Sequence, residues 1–145
     1  MAALQVLIVD DSVTIRAMLE QVISAGEGCH VAGMAASADD ARRMMMQKWP
    51  DVMTLDLTMP GIDGFQFLRD IQGQRHPPIV VVSSSSSAGA EASAQAIKAG
   101  AAACFDKAKL LTEASQFIRL LRKAARTKPI SPRRGAIRGQ LSTAA

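Results

Sequence analysis

Five short apolar runs, each followed by a stretch whose apolar residues recur at helical spacing, restrict this chain more than any other feature. Leu4–Val9 is a short apolar run of the kind expected for a strand covered on both faces. Ser12 then stands where it can cap a helix in which Ile15, Met18, Leu19, Val22 and Ile23 line one face, ending near Gly26 and Gly28. A second strand is expected around His30–Met34. It is followed by the helix start Ser37-Ala38-Asp39-Asp40, with Ala41, Met44 and Met45 on one face and Trp49-Pro50 as the close. Val52–Leu55 is the third strand, followed by a loop with Pro60, Gly61 and Gly64 and a helix carrying Phe65, Leu68 and Ile71. The fourth, Ile79–Val82, follows Pro77-Pro78 and runs into Ser83–Ser87, which reads as a strand-to-helix loop. Helix Ala90–Ala99, strand Ala102–Phe105 and helix Leu110–Ala125, with Ala114, Phe117, Leu121 and Ala125 inward, complete the series. Parallel neighbours need a crossover, so strands alternating with helices over short connections predict an α/β fold: a doubly wound, five-stranded parallel sheet with five helices.

Ligand and catalytic groups in such sheets gather at the carboxyl ends of the strands. Asp10 and Asp11 end the first strand, Asp56 ends the third, Ser83 ends the fourth and Lys107 follows the fifth. One Asp after a strand commonly does no more than open a turn. Three at one sheet edge are costly, because each raises the pKa of the others unless a cation or protons intervene. A divalent metal is the economical explanation. By contrast Met44-Met45-Met46 is expected to be core packing, because a helix points consecutive residues in different directions. Cys29 and Cys104 have no metal-site spacing and are expected as small buried side chains. His30 and His76 lie away from the carboxyl edge, with His76 expected at the surface, so neither joins this group.

Charge is unevenly distributed. The net charge is +4, yet residues 1–121 carry ten Lys/Arg against thirteen Asp/Glu, while residues 122–145 carry seven Lys/Arg and no acid. The domain is therefore expected to span residues 1–126, with 127–145 as a basic, disordered tail rich in Pro, Gly and Ser. Such a tail could touch an acidic partner or nucleic acid, or simply be solvated. No apolar stretch reaches the roughly 18 residues of a membrane span, and no secretory signal is visible. With hydrophobic residues at 48% and charged residues at 21%, a cytoplasmic globular protein is expected.

Asp10-Asp11-Ser12, Leu55-Asp56-Leu57-Thr58-Met59-Pro60-Gly61-Ile62-Asp63-Gly64, Ser83-Ser84 and Asp106-Lys107, in that order, resemble the receiver domain of two-component response regulators over about Leu4 to Ala125. The stretch from Pro50-Asp51-Val52 to Phe67-Leu68, with Val81-Val82-Ser83-Ser84, is similar to the receivers of chemotaxis methylesterases. The resemblance implies a flavodoxin-like (βα)5 sheet with strand order 2-1-3-4-5. It also implies Asp56 as phosphoacceptor, with Mg²⁺ or Mn²⁺ held by Asp11, Asp56, the backbone carbonyl of Thr58 and, through water, Asp10. Lys107 would neutralise the phosphoryl oxygens, Ser83 would bond to one of them, and small Ser84 would leave the group open to water or a phosphatase. The implied partners are a sensor histidine kinase or phosphotransfer protein and a phosphorylation-dependent downstream protein, with the chain a monomer or weak dimer.

Two positions depart from the family pattern. Ala108 follows Lys107 where proline is usual, so Lys107 is expected to be held more loosely. Cys104 stands where many chemotaxis members have an aromatic switch, so an aromatic flip cannot report phosphorylation here. Chemotaxis signalling is the leading expectation; a phosphate shuttle or sink would use the same residues. A receiver part of a transcription regulator or methylesterase is the other alternative, its output domain absent from these 145 residues. No G-x-S-x-G nucleophile elbow is present, and the residues after Ala125 are too few for a helix-turn-helix unit with its own core. Asp56-Leu57-Thr58 lacks the second Asp of a D-x-D-x-T phosphatase, so no enzyme activity beyond self-phosphorylation and dephosphorylation is expected.

Overall fold

Burial of the central strands and one-sided burial of the helices produce three layers in the computed structural model, which describes residues 3–57, 64–71, 73–84 and 87–127. The elements run β1 (Leu4–Val9), α1 (Val13–Ala25), β2 (Cys29–Ala35), α2 (Ala38–Gln47), β3 (Val52–Leu55), α3 (Gly64–Ile71), β4 (Ile79–Ser83), α4 (Ser87–Lys98), β5 (Ala103–Asp106) and α5 (Ala114–Ala125). All strand pairs are parallel, in the order β2-β1-β3-β4-β5. This is the expected doubly wound sheet.

Strand alternation divides the core in two. Leu7, Val9, Met53, Leu55, Ile79 and Val81 face α2, α3 and α4. Val6, Ile8, Val52, Val80 and Val82 face α1 and α5, which contribute Leu19, Val22, Ile23, Phe117, Ile118 and Leu121. The helix starts are built as their sequences dictate: Ser12 Oγ accepts from the Ile15 amide at 3.2 Å and Ser37 Oγ from the Asp40 amide at 3.2 Å. Among the described residues, no helix is long and apolar enough to cross a membrane.

Several boundaries and environments differ from expectation. Helix α5 begins at Ala114, not Leu110, because Lys107–Lys109 form a 3-10 turn capped by the Asp106 side chain; Leu110 is nevertheless buried. Helix α4 starts three residues early, and β5 is shifted by one. Among the described side chains of α3, Phe67, Leu68 and Ile71 are buried, so the inward stripe includes Phe67. Met45 is buried while Met46 is 77% exposed, as helical directions require. Cys29 and Cys104 are half-buried thiols.

His76 is the clearest correction. It is 0% exposed, not on the surface, because it is buried together with Pro77 and Pro78, which lead into β4. Its Nδ1 lies 2.8 Å from the Pro77 carbonyl oxygen. Burial pulls its pKa below the ordinary histidine value, with that contact opposing. Neutral histidine suits a structural role there. The basic tail and the loop 58–63 fall outside the described residues, and with them the Thr58 carbonyl, Met59-Pro60 and Gly61.

Candidate functional site

Backbone register brings the carboxylates together before any side chain acts. Val9 pairs with Leu55, and the Asp56 amide continues the ladder to the Val9 carbonyl at 3.0 Å while the Asp10 amide bonds the Ala35 carbonyl at 3.0 Å. Asp10 and Asp56 therefore leave adjacent strands at one level, 1% and 4% exposed respectively. Asp11, one residue farther along, is exposed. One oxygen from each of the three carboxylates lies within 4.8 Å of the others.

Lys107 reaches this cluster from the far side of β4. Its Nζ is 3.2 Å from Asp56 Oδ1 and 3.7 Å from Asp10 Oδ2. The turn carrying it is tied down by a bond from the Ala108 amide to Asp106 Oδ1 at 2.9 Å. A proline at 108 has no N–H and could not make that bond. The looser hold expected from Ala108 is thus met by a different tether.

Asp10 records the electrostatic conflict. Its Oδ1 accepts from the Ser12 amide at 2.8 Å, and its main-chain carbonyl accepts from Arg16 Nη1 at 2.7 Å. Its Oδ2 is buried without a hydrogen-bond partner among the described residues. Burial raises its pKa first; the Ser12 amide opposes, Asp56 adds to the rise, Lys107 opposes and Asp11 adds again. A buried carboxylate oxygen without a hydrogen bond, beside two other carboxylates, is the donor set a hard divalent cation takes, and one lysine cannot neutralise three carboxylates. The residues present fit such an ion.

Gly64 packs directly against the backbone that carries Asp56. Its amide donates to the Leu57 carbonyl at 2.9 Å, and a Cβ there would fall on the Asp56 carbonyl oxygen and the Leu57 Cα. Only glycine allows α3 to begin against the backbone that carries Asp56.

Ser83 is placed at this edge but is engaged elsewhere. It pairs with Asp106 across β4 and β5, and like Val81 it belongs to the α4 side of the sheet, where its Oγ lies 2.6 Å from Ser93 Oγ of α4. Cys104 Sγ donates to the Ser93 carbonyl at 3.4 Å, and burial pushes that thiol's pKa up, with the Ser93 side chain opposing. Ser84 is exposed. The structure thus gathers Asp10, Asp11, Asp56 and Lys107 into one cluster and sets Ser83 beside it. Sequence reading passed over Ser93, a serine in an alanine-rich helix whose only signal is its place one residue after the inward Ala92.

Comparison with known proteins gives the same pattern. The family model described as "Response regulator receiver domain" matches residues 6–119. The chain is 39% identical over 132 residues to protein-glutamate methylesterase/protein-glutamine glutaminase 1 of Chromobacterium violaceum, covering 87% of this chain and 37% of that protein. It therefore spans a little over a third of the length of that relative. The crystal structure of the response regulator domain of Thermotoga maritima CheB superposes with a TM-score of 0.77 at 25% identity, covering 88% of this chain and 99% of that one. A chain in the crystal structure of the P1 domain of CheA3 in complex with CheY6 from R. sphaeroides gives a TM-score of 0.70 at 27% identity, covering 86% of this chain and all of that one.

Proposed function

The chain belongs to the response regulator receiver domain family, and we propose that it works as a phosphoryl-accepting switch with Asp56 as the acceptor. The observation that carries this reading is the meeting of the Asp10, Asp11 and Asp56 oxygens within 4.8 Å, with the Lys107 ammonium 3.2 Å from Asp56. Phosphoryl transfer asks little covalent chemistry of a protein; it needs an in-line oxygen nucleophile and positive charge where negative charge spreads. Asp56 Oδ supplies the nucleophile, and the donor's P–O or P–N bond breaks as the Asp56 O–P bond forms. Lys107 faces the phosphoryl oxygens.

Asp10, Asp11, Asp56 and the Thr58 carbonyl would hold Mg²⁺ or Mn²⁺, which supplies charge neutralisation for the transfer. The donor is a sensor histidine kinase or its phosphotransfer domain. The likeness to a chain solved with the P1 domain of CheA3 supports that partner. The receiver occupies residues 1–126, with 127–145 a basic appendage that needs no specific nucleic acid. The protein is a cytoplasmic monomer or weak dimer whose only catalysis is its own phosphorylation and dephosphorylation. A phosphate shuttle or sink would rest on the same cluster. The identity to a chemotaxis methylesterase favours a second reading, in which the same switch regulates a methylesterase domain.

The test is incubation with Mg²⁺ and acetyl phosphate followed by intact mass. Wild type is expected to gain one phosphoryl group and Asp56→Asn none. Equal labelling of the two would sink the assignment.

A further inference from the structure

We propose that Ser93 of α4 passes the state of Asp56 to the helix face: it holds the Ser83 hydroxyl before phosphorylation and loses it afterwards. This rests on Asp56 being the phosphoacceptor. Strand alternation sets Val81 and Ser83 on the α4 side of the sheet, whereas Asp56, continuing β3 after Val52 and Thr54, follows the opposite parity. The Ser83 Oγ must rotate about its Cα–Cβ bond to reach a phosphoryl oxygen. The 2.6 Å contact with Ser93 breaks on that rotation, whichever hydroxyl is the donor.

The exchange has a direction. A neutral hydroxyl pair is replaced by a hydroxyl on a phosphoryl anion, a charge-assisted bond about twice as strong. That difference between the two states is what a population shift requires.

Ser93 is also where α4 is tied to the neighbouring strand. Its carbonyl accepts from Cys104 Sγ, so its side chain meets the end of β4 and its backbone meets β5. Beside these contacts lies an open cavity of about 220 Å³, lined by Ser83, Ala90, Ser93, Cys104 and Asp106 among others. The small Cys104 leaves this space where a larger side chain would fill it, so α4 has room to shift once Ser83 lets go. A polar relay, Ser83 to Ser93 to Cys104, takes the place of an aromatic side chain that changes rotamer.

The experiment uses the full chain with Mg²⁺ and acetyl phosphate, reading intact mass and hydrogen exchange of the α4 amides in wild type, Ser93→Ala, Ser93→Thr and Ser83→Ala. In wild type, α4 exchange is expected to rise roughly two- to tenfold on phosphorylation, the range of one neutral hydrogen bond. Ser93→Ala should be labelled, should exchange fast without phosphate and should show little further rise. Ser93→Thr, which keeps the hydroxyl, should restore the step, and Ser83→Ala should abolish it. A purely structural Ser93 would speed exchange in both states and leave the step intact. Full labelling of Ser93→Ala with a wild-type step would therefore overturn this inference alone. No added mass on wild type would overturn the acceptor reading, and this one with it.

Discussion

Helices α4 and α5 flank β4 and β5 from opposite faces and are held by very different means. Helix α5 buries Phe117, Ile118, Leu121 and Ala124. The described side chains of α4 bury Ala96 alone, with Ala92 half-buried and Ile97 46% exposed. A fully buried Phe, Ile or Leu stabilises by about 1.5–3 kcal/mol and a methyl by about 0.8, so α5 is anchored several times more strongly. Where apolar anchoring is thin, single polar contacts decide position. The Ser83–Ser93 and Cys104–Ser93 bonds therefore carry a share of α4's placement that no polar contact among the described residues carries for α5.

The largest expected effect lies on the strong side. Phe117→Ala should cost about 3–5 kcal/mol of global stability, measured by urea unfolding, since its ring also packs against Phe105 at 5.0 Å between centroids. A loss below 1 kcal/mol would erase the contrast. Next comes the metal, whose carboxylates Asp10 and Asp56 follow the parity of the α5 side. Mg²⁺ at a hundred times its Kd should stabilise wild type by about 2.7 kcal/mol, and chelation should reverse this. Asp10→Asn should abolish most of the gain, while α4 exchange without phosphate stays unchanged by the ion. Faster α4 exchange on Mg²⁺ alone would show that the two sides are not separable. Smallest is Ala96→Gly, expected to cost about 1–2 kcal/mol from helix propensity and one lost methyl. Hydrogen exchange should place that loss locally in α4, with amides of α5 unaffected. A shared loss would mean that the two helices open as one unit.

The same contrast separates what could be read from sequence. Strong apolar periodicity announced α1 and α5, and the carboxylates were legible because strand ends are set by burial and all point to one edge. Helix α5 was placed four residues early because Leu110 continues the apolar spacing, although the 3-10 turn at Lys107–Lys109 delays the regular helix. A histidine before two prolines looks like surface loop, while the burial of His76 depends on how the approach to β4 packs, which no spacing sets. Ser93 left no mark because its partner is ten residues away on another element, and a hydroxyl pair has no spacing rule. The carboxylate cluster depends on strand order; the Ser83–Ser93 contact depends on how a helix rotates over a sheet, which small side chains specify weakly.

Gly64 sets a limit on how this domain can be varied. Because α3 starts in contact with the peptide that carries Asp56, no side chain at position 64 is compatible with that spacing, whatever its polarity. A saturation library should show this position as intolerant as Asp56 itself, though it contributes no functional group. In a graft of the site onto another scaffold, the missing atom at Gly64 would have to travel with the carboxylates.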